Sequence, residues 1–259
     1  MTSSARGRSL DGLDDEAFSY MERSVDELAK LIPAPRLVTR AGQQVFRYLE
    51  QTPSQALVQK LARLVSALRA TRVLLNCGFV QEVGVLKRVL DETQQDIAFI
   101  FSCLRDPTDL DREFLEAFYE EEFDADDALA STQKRKMIPR RRIRDRVARF
   151  FSEAPGSPLD RSIVAELERT IDKVKSGYVH GASGHLMEMY GGHLGRFQFH
   201  MNGMQGTSLQ RVSGEEFWRY VYRAILVFAM VTYRFRGDEG AAKIRAYADW
   251  FERYKPGGD

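Results

Sequence analysis

Apolar residues recur at helical spacing along most of this chain. From about Asp14 to Ile32, the positions Phe18, Met21, Val25, Leu28 and Ile32 share one face, and Pro33 closes the segment. Similar spacing predicts a second helix over about residues 36–50. Thr52-Pro53-Ser54-Gln55 supplies an N-cap, a proline at the first helical position and a glutamine at the third, a capping-box start. The helix it opens carries Leu57, Leu61, Leu64 and Leu68 on one face and runs to about Asn76, where Gly78 breaks or bends it. Phe79 to Leu104 reads as a long apolar helix interrupted by Arg88, Asp91 and Glu92. An acidic helix is expected over 109–130 and a basic one over 139–152. A further helix runs from Leu159 to about Gly177, with Ile163, Leu167, Ile171 and Val174 as its stripe. Ser213-Gly214-Glu215-Glu216 resembles a second capping box. It opens an aromatic helix to about Arg236, and a last helix spans about Glu239 to Tyr254.

One stretch departs from this pattern. Residues 176–206 hold all four histidines and eight of the nineteen glycines. Within it, "HLMEMY" and "HLGRFQFHM" flank Gly191-Gly192, and the second arm alternates Phe197, Phe199, Met201. A two-residue glycine turn between such arms predicts a β-hairpin. The expected fold is therefore all-α: a bundle of about eight or nine helices with one small hairpin near residues 185–202. The expected organisation is a flexible N-terminus (1–12), one helical domain (13–254) with a charged helical hairpin inserted at about 108–152, and a short tail (255–259).

Composition narrows the functional classes. The chain has 259 residues, 44% hydrophobic and 29% charged, with a net charge of +1. That is ordinary globular usage and gives no global pull toward nucleic acid or a membrane. The longest apolar run, Ala224–Val231, is far shorter than the roughly 20 residues a spanning helix needs. The polar start lacks the apolar core of a signal peptide, and Cys77 and Cys103, both in apolar surroundings, resemble buried thiols of a reducing compartment. A cytoplasmic location is the expectation.

The histidine-rich stretch admits three readings. His180, His185, His193 and His200, with Glu188, are candidate ligands for a divalent metal. His180 and His185 are five apart, so on one helix they would point about 140° from each other. They converge only through a loop, which Gly181 and Gly184 permit. Alternatively, Tyr178, His180 and His185 line a polar pocket as donors or acid–base groups. Or a histidine caps a helix C-terminus while the glycines serve the cap and the turn.

Arg88, Asp91 and Glu92 stand at i, i+3 and i+4 and can pair with one another. They form either a surface ladder or a semi-buried cluster facing the interior, where such charges need partners. Residues 109–127 carry ten acidic side chains and residues 134–149 nine basic ones. The basic stretch is a candidate contact for RNA or a nucleotide, or it pairs with the acidic helix before it, or the arm mediates self-association. No phosphate loop, GxSxG or CxxC is present, and a triad of Ser183, His180 and Asp91 rests on residue type alone.

The helix "VLKRVLDETQQDIAFI" and the later "SGYVHGASGH" resemble a set of bacterial helical proteins. There a helix with Leu-Arg-x-x-x-Glu precedes a Tyr-x-His-Gly segment, and the set is distantly similar to the HEPN helical bundles, many of them RNA-cleaving toxins or phage-defence nucleases. The matching positions are Arg88, Glu92, Tyr178, His180 and Gly181. The resemblance implies that Arg88, Glu92 and His180 meet in space. HEPN ribonucleases carry Arg, four to six residues, then His; the nearest pair here, Arg196 and His200, has three between.

Three functions follow as expectations. The first binds or cleaves RNA or a nucleotide with His180, Arg88, Glu92 and Asp91 as catalytic groups and Tyr178, His185, Gly181 and Arg196 as ligand contacts. The second is a non-catalytic interaction or sensor protein in which the same residues form a buried network. The third is a metalloprotein using the histidine hairpin. A homodimer is the default assembly, and a protein partner is also open.

Overall fold

The structure, a computed structural model, describes residues 10–40, 42–125, 127–134, 136–153, 161–193 and 196–254. It is all-α with small hairpins. The elements are α1 (Leu10–Ala29), β1 (Arg36–Arg40), β2 (Gln43–Arg47), α2 (Pro53–Asn76), α3 (Val80–Arg105), α4 (Asp109–Tyr119) and α5 (Arg140–Ser152). They continue with α6 (Arg161–Val179), α7 (Ser183–Met187), β3 (Tyr190–His193), β4 (Arg196–Phe199) and α8 (Ser208–Glu252). The chain forms two compact units. One comprises residues 1–24, 62–94 and 166–259, the other residues 25–61 and 95–165. The charged segment at 108–152 falls wholly in the second unit, which also holds residues 25–61.

Local chemistry explains most element ends. The Thr52 capping box forms as read: the Gln55 N–H donates to Thr52 Oγ1 at 3.2 Å, and the Thr52 N–H to Gln55 Oε1 at 3.0 Å. Leu57, Leu61, Leu64 and Leu68 are all fully buried. At the α2–α3 junction Gly78 has φ +77°, and a Cβ there would lie 2.7 Å from the Met204 nitrogen. Only glycine permits this approach, which the Met204 N–H seals by donating to the Gly78 carbonyl at 2.7 Å. In the first unit Phe18, Phe217, Phe228 and Phe251 are buried, with Trp218 stacked on Phe251 at 5.4 Å. In the second, Phe99 packs on Phe114 at 4.8 Å, among buried Ile97, Ile143 and Val147.

Several elements differ from the sequence reading. Residues 36–47 form a second hairpin instead of a helix, with Val38 opposite Val45 and Leu37 opposite Phe46. Five-residue arms satisfy a period of two as well as a helical one, and Gly42, before the second arm, sits at φ +72°. The acidic helix stops at Tyr119, because Glu120 turns extended at the start of a run of like charges that a helix would stack. α8 begins at Thr207, not Ser213: the Thr207 hydroxyl accepts from the Gln210 N–H at 3.2 Å, while Ser213 is buried inside the helix. The break foreseen after Arg236 is real, with Gly237 at φ +69° within α8.

The histidine hairpin is present but shifted. "HLMEMY" contributes mainly the short helix α7, and β3 pairs with β4 from Tyr190 opposite Phe199 to His193 opposite Arg196. Gly191 and Gly192 therefore lie in the strand. Gly192, at φ +139°, lets the partner strand come close: a Cβ there would sit 2.3 Å from the Arg196 carbonyl oxygen. The apolar stripe of α6 forms as read and is exposed: Ile163 60%, Leu167 58%, Ile171 41% and Val174 53%.

Candidate functional site

The polar intrusions in α3 separate by position. Arg88 and Glu92, one turn apart, form a half-exposed pair, Nε to Oε1 at 3.0 Å. Asp91, about 100° around the helix from Glu92, is buried. Its Oδ1 accepts from Arg223 Nη2 at 2.7 Å and its Oδ2 from the Tyr220 hydroxyl at 3.2 Å; Lys175 Nζ donates to Asp91 Oδ2 and to the Tyr220 oxygen. The Tyr220 ring lies 4.9 Å from Lys175 Nζ and 4.5 Å from the Arg223 guanidinium carbon, at cation–π distance from both. A neighbouring pair, Lys87 Nζ to Glu216 Oε2 at 2.7 Å, completes the cluster.

Three segments of one unit thus converge on one carboxylate. Burial holds the Lys175 ammonium below the ordinary lysine range, and Arg223 adds to this, although Asp91 opposes it. Burial, and next the Asp91 charge, push the Tyr220 hydroxyl well above the tyrosine range, so it stays a neutral donor. Lys175, Tyr220 and Arg223 line an open cleft of about 350 Å³, with Ile171 and Val174 as its apolar side and Arg219 at its rim. Sequence reasoning missed Lys175, Tyr220 and Arg223. The available signal was a lysine set one turn from Ile171 beside an apolar stripe, and a Tyr–Arg pair at i, i+3 inside an aromatic helix.

The structure does not bring His180 to this cluster. His180 follows the last residue of α6, its ring is exposed, and among the described residues its side chain makes no hydrogen bond or ion pair with Arg88, Asp91 or Glu92. The resemblance implied a meeting that the α6 C-terminus does not deliver. Gly181, at φ +61°, makes the turn out of α6.

Tyr178, His185 and Glu188 do come together. The Tyr178 hydroxyl donates to Glu188 Oε2 at 2.9 Å, and the Tyr178 and His185 rings meet edge-on at 4.3 Å. Gln81 Nε2 donates to the His185 carbonyl at 2.8 Å and to Glu188 Oε2 at 3.2 Å. Burial, then Glu188, raise the Tyr178 hydroxyl above its ordinary range. Two glycines make room for the rings. A Cβ on Gly84 would lie 2.6 Å from the Tyr178 ring, and one on Gly177 would lie 2.2 Å from His185. Here the coincidence of glycine and histidine is a packing device.

Arg196 is exposed on β4, the His200 N–H donates to the Met189 carbonyl at 2.8 Å, and the His193 side chain lies outside the described residues. Among the described residues no group of three or more His, Cys, Asp or Glu side chains is gathered as a metal site would require.

The basic stretch is engaged with acids of its own unit. Arg142 meets Glu113 at 2.9 Å, Arg146 meets Asp106 at 3.2 Å and Lys136 meets Glu116 at 3.5 Å. Arg140 reaches Asp96 at 2.5 Å and Gln95 at 2.8 Å. No helix among the described residues is long and apolar enough to cross a membrane. Comparison with protein-family models, curated proteins and solved structures finds no match for the chain.

Proposed function

We propose that this chain is a non-catalytic interaction protein that works as a pair of identical copies. The Asp91 network serves as its structural clamp and the exposed stripe of α6 as its contact surface. The observation that supports this is the exposure of Leu167, Ile171 and Val174 along one side of a regular helix. A face of that kind on an amphipathic helix is ordinarily buried against another element.

A second copy suits the face by charge. Glu166 and Lys173 are exposed, seven residues apart, and so fall on the same flank of the stripe. An antiparallel copy crossing near residues 169–170 brings each Glu166, which pairs with Arg169 of its own helix at 2.7 Å, near Lys173 of the other chain, and Leu167 near Ile171. RNA contact through 134–149 draws less support, because Arg140, Arg142 and Arg146 are already spent on carboxylates. Cleavage by His180 draws none, because its side chain makes no hydrogen bond or ion pair with Arg88 or Glu92 among the described residues.

Light scattering on a size-exclusion column tests the reading. At tens of micromolar the wild type is expected at about twice 29.6 kDa, and Leu167→Glu as a folded monomer. A monomeric wild type, or a Leu167→Glu variant that pairs as before, overturns it.

A further inference from the structure

We infer that the cleft beside Asp91 is a binding site for a doubly charged phosphate monoester whose organic group rests on Ile171 and Val174. Among the described residues that line the cleft or pair with its lining, four are cationic (Lys87, Lys175, Arg219 and Arg223) and two are carboxylates (Asp91 and Glu216), an excess of two positive charges. Asp91 is nearly fully consumed, since both its oxygens already accept from cations and from Tyr220. Glu216 is held by Lys87. That excess sits on Arg219 and Arg223, which solvent reaches, so it attracts an anion, and a phosphate dianion matches its two charges.

The donors suit that ion. Arg223 spends one N–H on Asp91 and is pinned over Tyr220, so its planar fork is pre-organised with further donors to offer. Its side chain is 45% exposed, which leaves it reachable from the cleft. Arg219, also exposed, makes no hydrogen bond or ion pair among the described residues. Guanidinium groups of this kind bind phosphate oxygens in pairs. The cleft, about 350 Å³, is at the lower end of small-molecule sites, and its side formed by Ile171 and Val174 is apolar. A bare anion would leave that side unused.

Calorimetric titration of the full chain with inorganic phosphate, phenyl phosphate and benzoate tests the assignment. Phenyl phosphate is expected to bind one per chain, about tenfold or more tighter than inorganic phosphate, with benzoate weaker than both. Arg219→Ala and Arg223→Gln should each weaken phenyl phosphate about tenfold or more, and Arg169→Ala, on the opposite side of α6, should leave it unchanged. No saturable binding at millimolar ligand, equal affinity for benzoate, or full affinity in both arginine variants overturns it. Ile171 and Val174 belong to both the contact face and the cleft, so ligand and second copy compete: phenyl phosphate is expected to dissociate the pair, and the monomeric Leu167→Glu, which lies outside the cleft, to bind it at least as tightly as the wild type. Failure of self-association and failure of this site are thereby read separately.

Discussion

Two aspartates five residues apart on α3 carry the same chemistry into the two units. Asp91 holds Lys175 and Arg223, and Asp96 holds Lys60 at 2.7 Å and Arg140 at 2.5 Å. Each is a buried carboxylate with one lysine and one arginine, and an aromatic ring stands at each lysine, Tyr220 at 4.9 Å and Phe118 at 5.0 Å. They differ in what is left over. At Asp96 the arginine turns its second nitrogen to Gln95 and its side chain is 26% exposed; at Asp91 the arginine is 45% exposed and opens on a cleft. The lesson is that a charge inside an apolar helix first marks a clamp. Function has to be sought in whatever donor capacity the clamp does not use.

The largest expected effect comes from removing the carboxylates. Asp91→Ala leaves Lys175 buried without its counter-charge and should cost about 3–5 kcal/mol in urea unfolding. Asp96→Ala should cost less, about 2–3 kcal/mol, because Lys60 and Arg140 are better hydrated than Lys175. If Asp96→Ala is the more damaging change, the ranking by burial is wrong and the comparison inverts.

A smaller effect sharpens the picture of the histidine region in the first unit. Gly177→Ala drives a methyl into the His185 ring, an overpacking cost of about 1–3 kcal/mol, partly offset by the roughly 1 kcal/mol that alanine gains over glycine in a helix. In a His185→Ala background the clash is gone, so the same substitution should stabilise. Thermal melts of the four-protein cycle measure this directly, and a Gly177→Ala penalty that persists without His185 would refute the packing account.

Much of the fold was legible because helices advertise themselves locally. The Thr52 box, the four leucines of α2 and the break at Gly237 all depend on neighbours within a few residues. Residues 36–47 misled because short amphipathic strands and a helix share the same few apolar positions, and pairing decides between them. The α6 stripe was legible as apolar but its exposure was not, since periodicity reports a face and not what covers it. The site was harder. Asp91 was visible as an intrusion, but Lys175 lies 84 positions and Arg223 132 positions away in sequence, and nothing local announces either as its partner.

The smallest expected effects bear on the resemblance. Arg88 and Glu92 are about one-third exposed, so their pair behaves as a hydrated ladder, and Arg88→Ala should cost about 0.5 kcal/mol or less. His180 is exposed, and His180→Ala should leave the melting temperature unchanged. A pocket built from these three residues would behave otherwise. Each single change would then cost more than about 1 kcal/mol, and the Arg88→Ala/His180→Ala double variant would depart from additivity. The cycle therefore separates two descriptions of one helix: a clamp at Asp91 with an independent surface pair one residue on, or a single cluster reaching His180. Additive, near-silent changes at 88 and 180 beside a severe one at 91 are what the geometry of α3 requires.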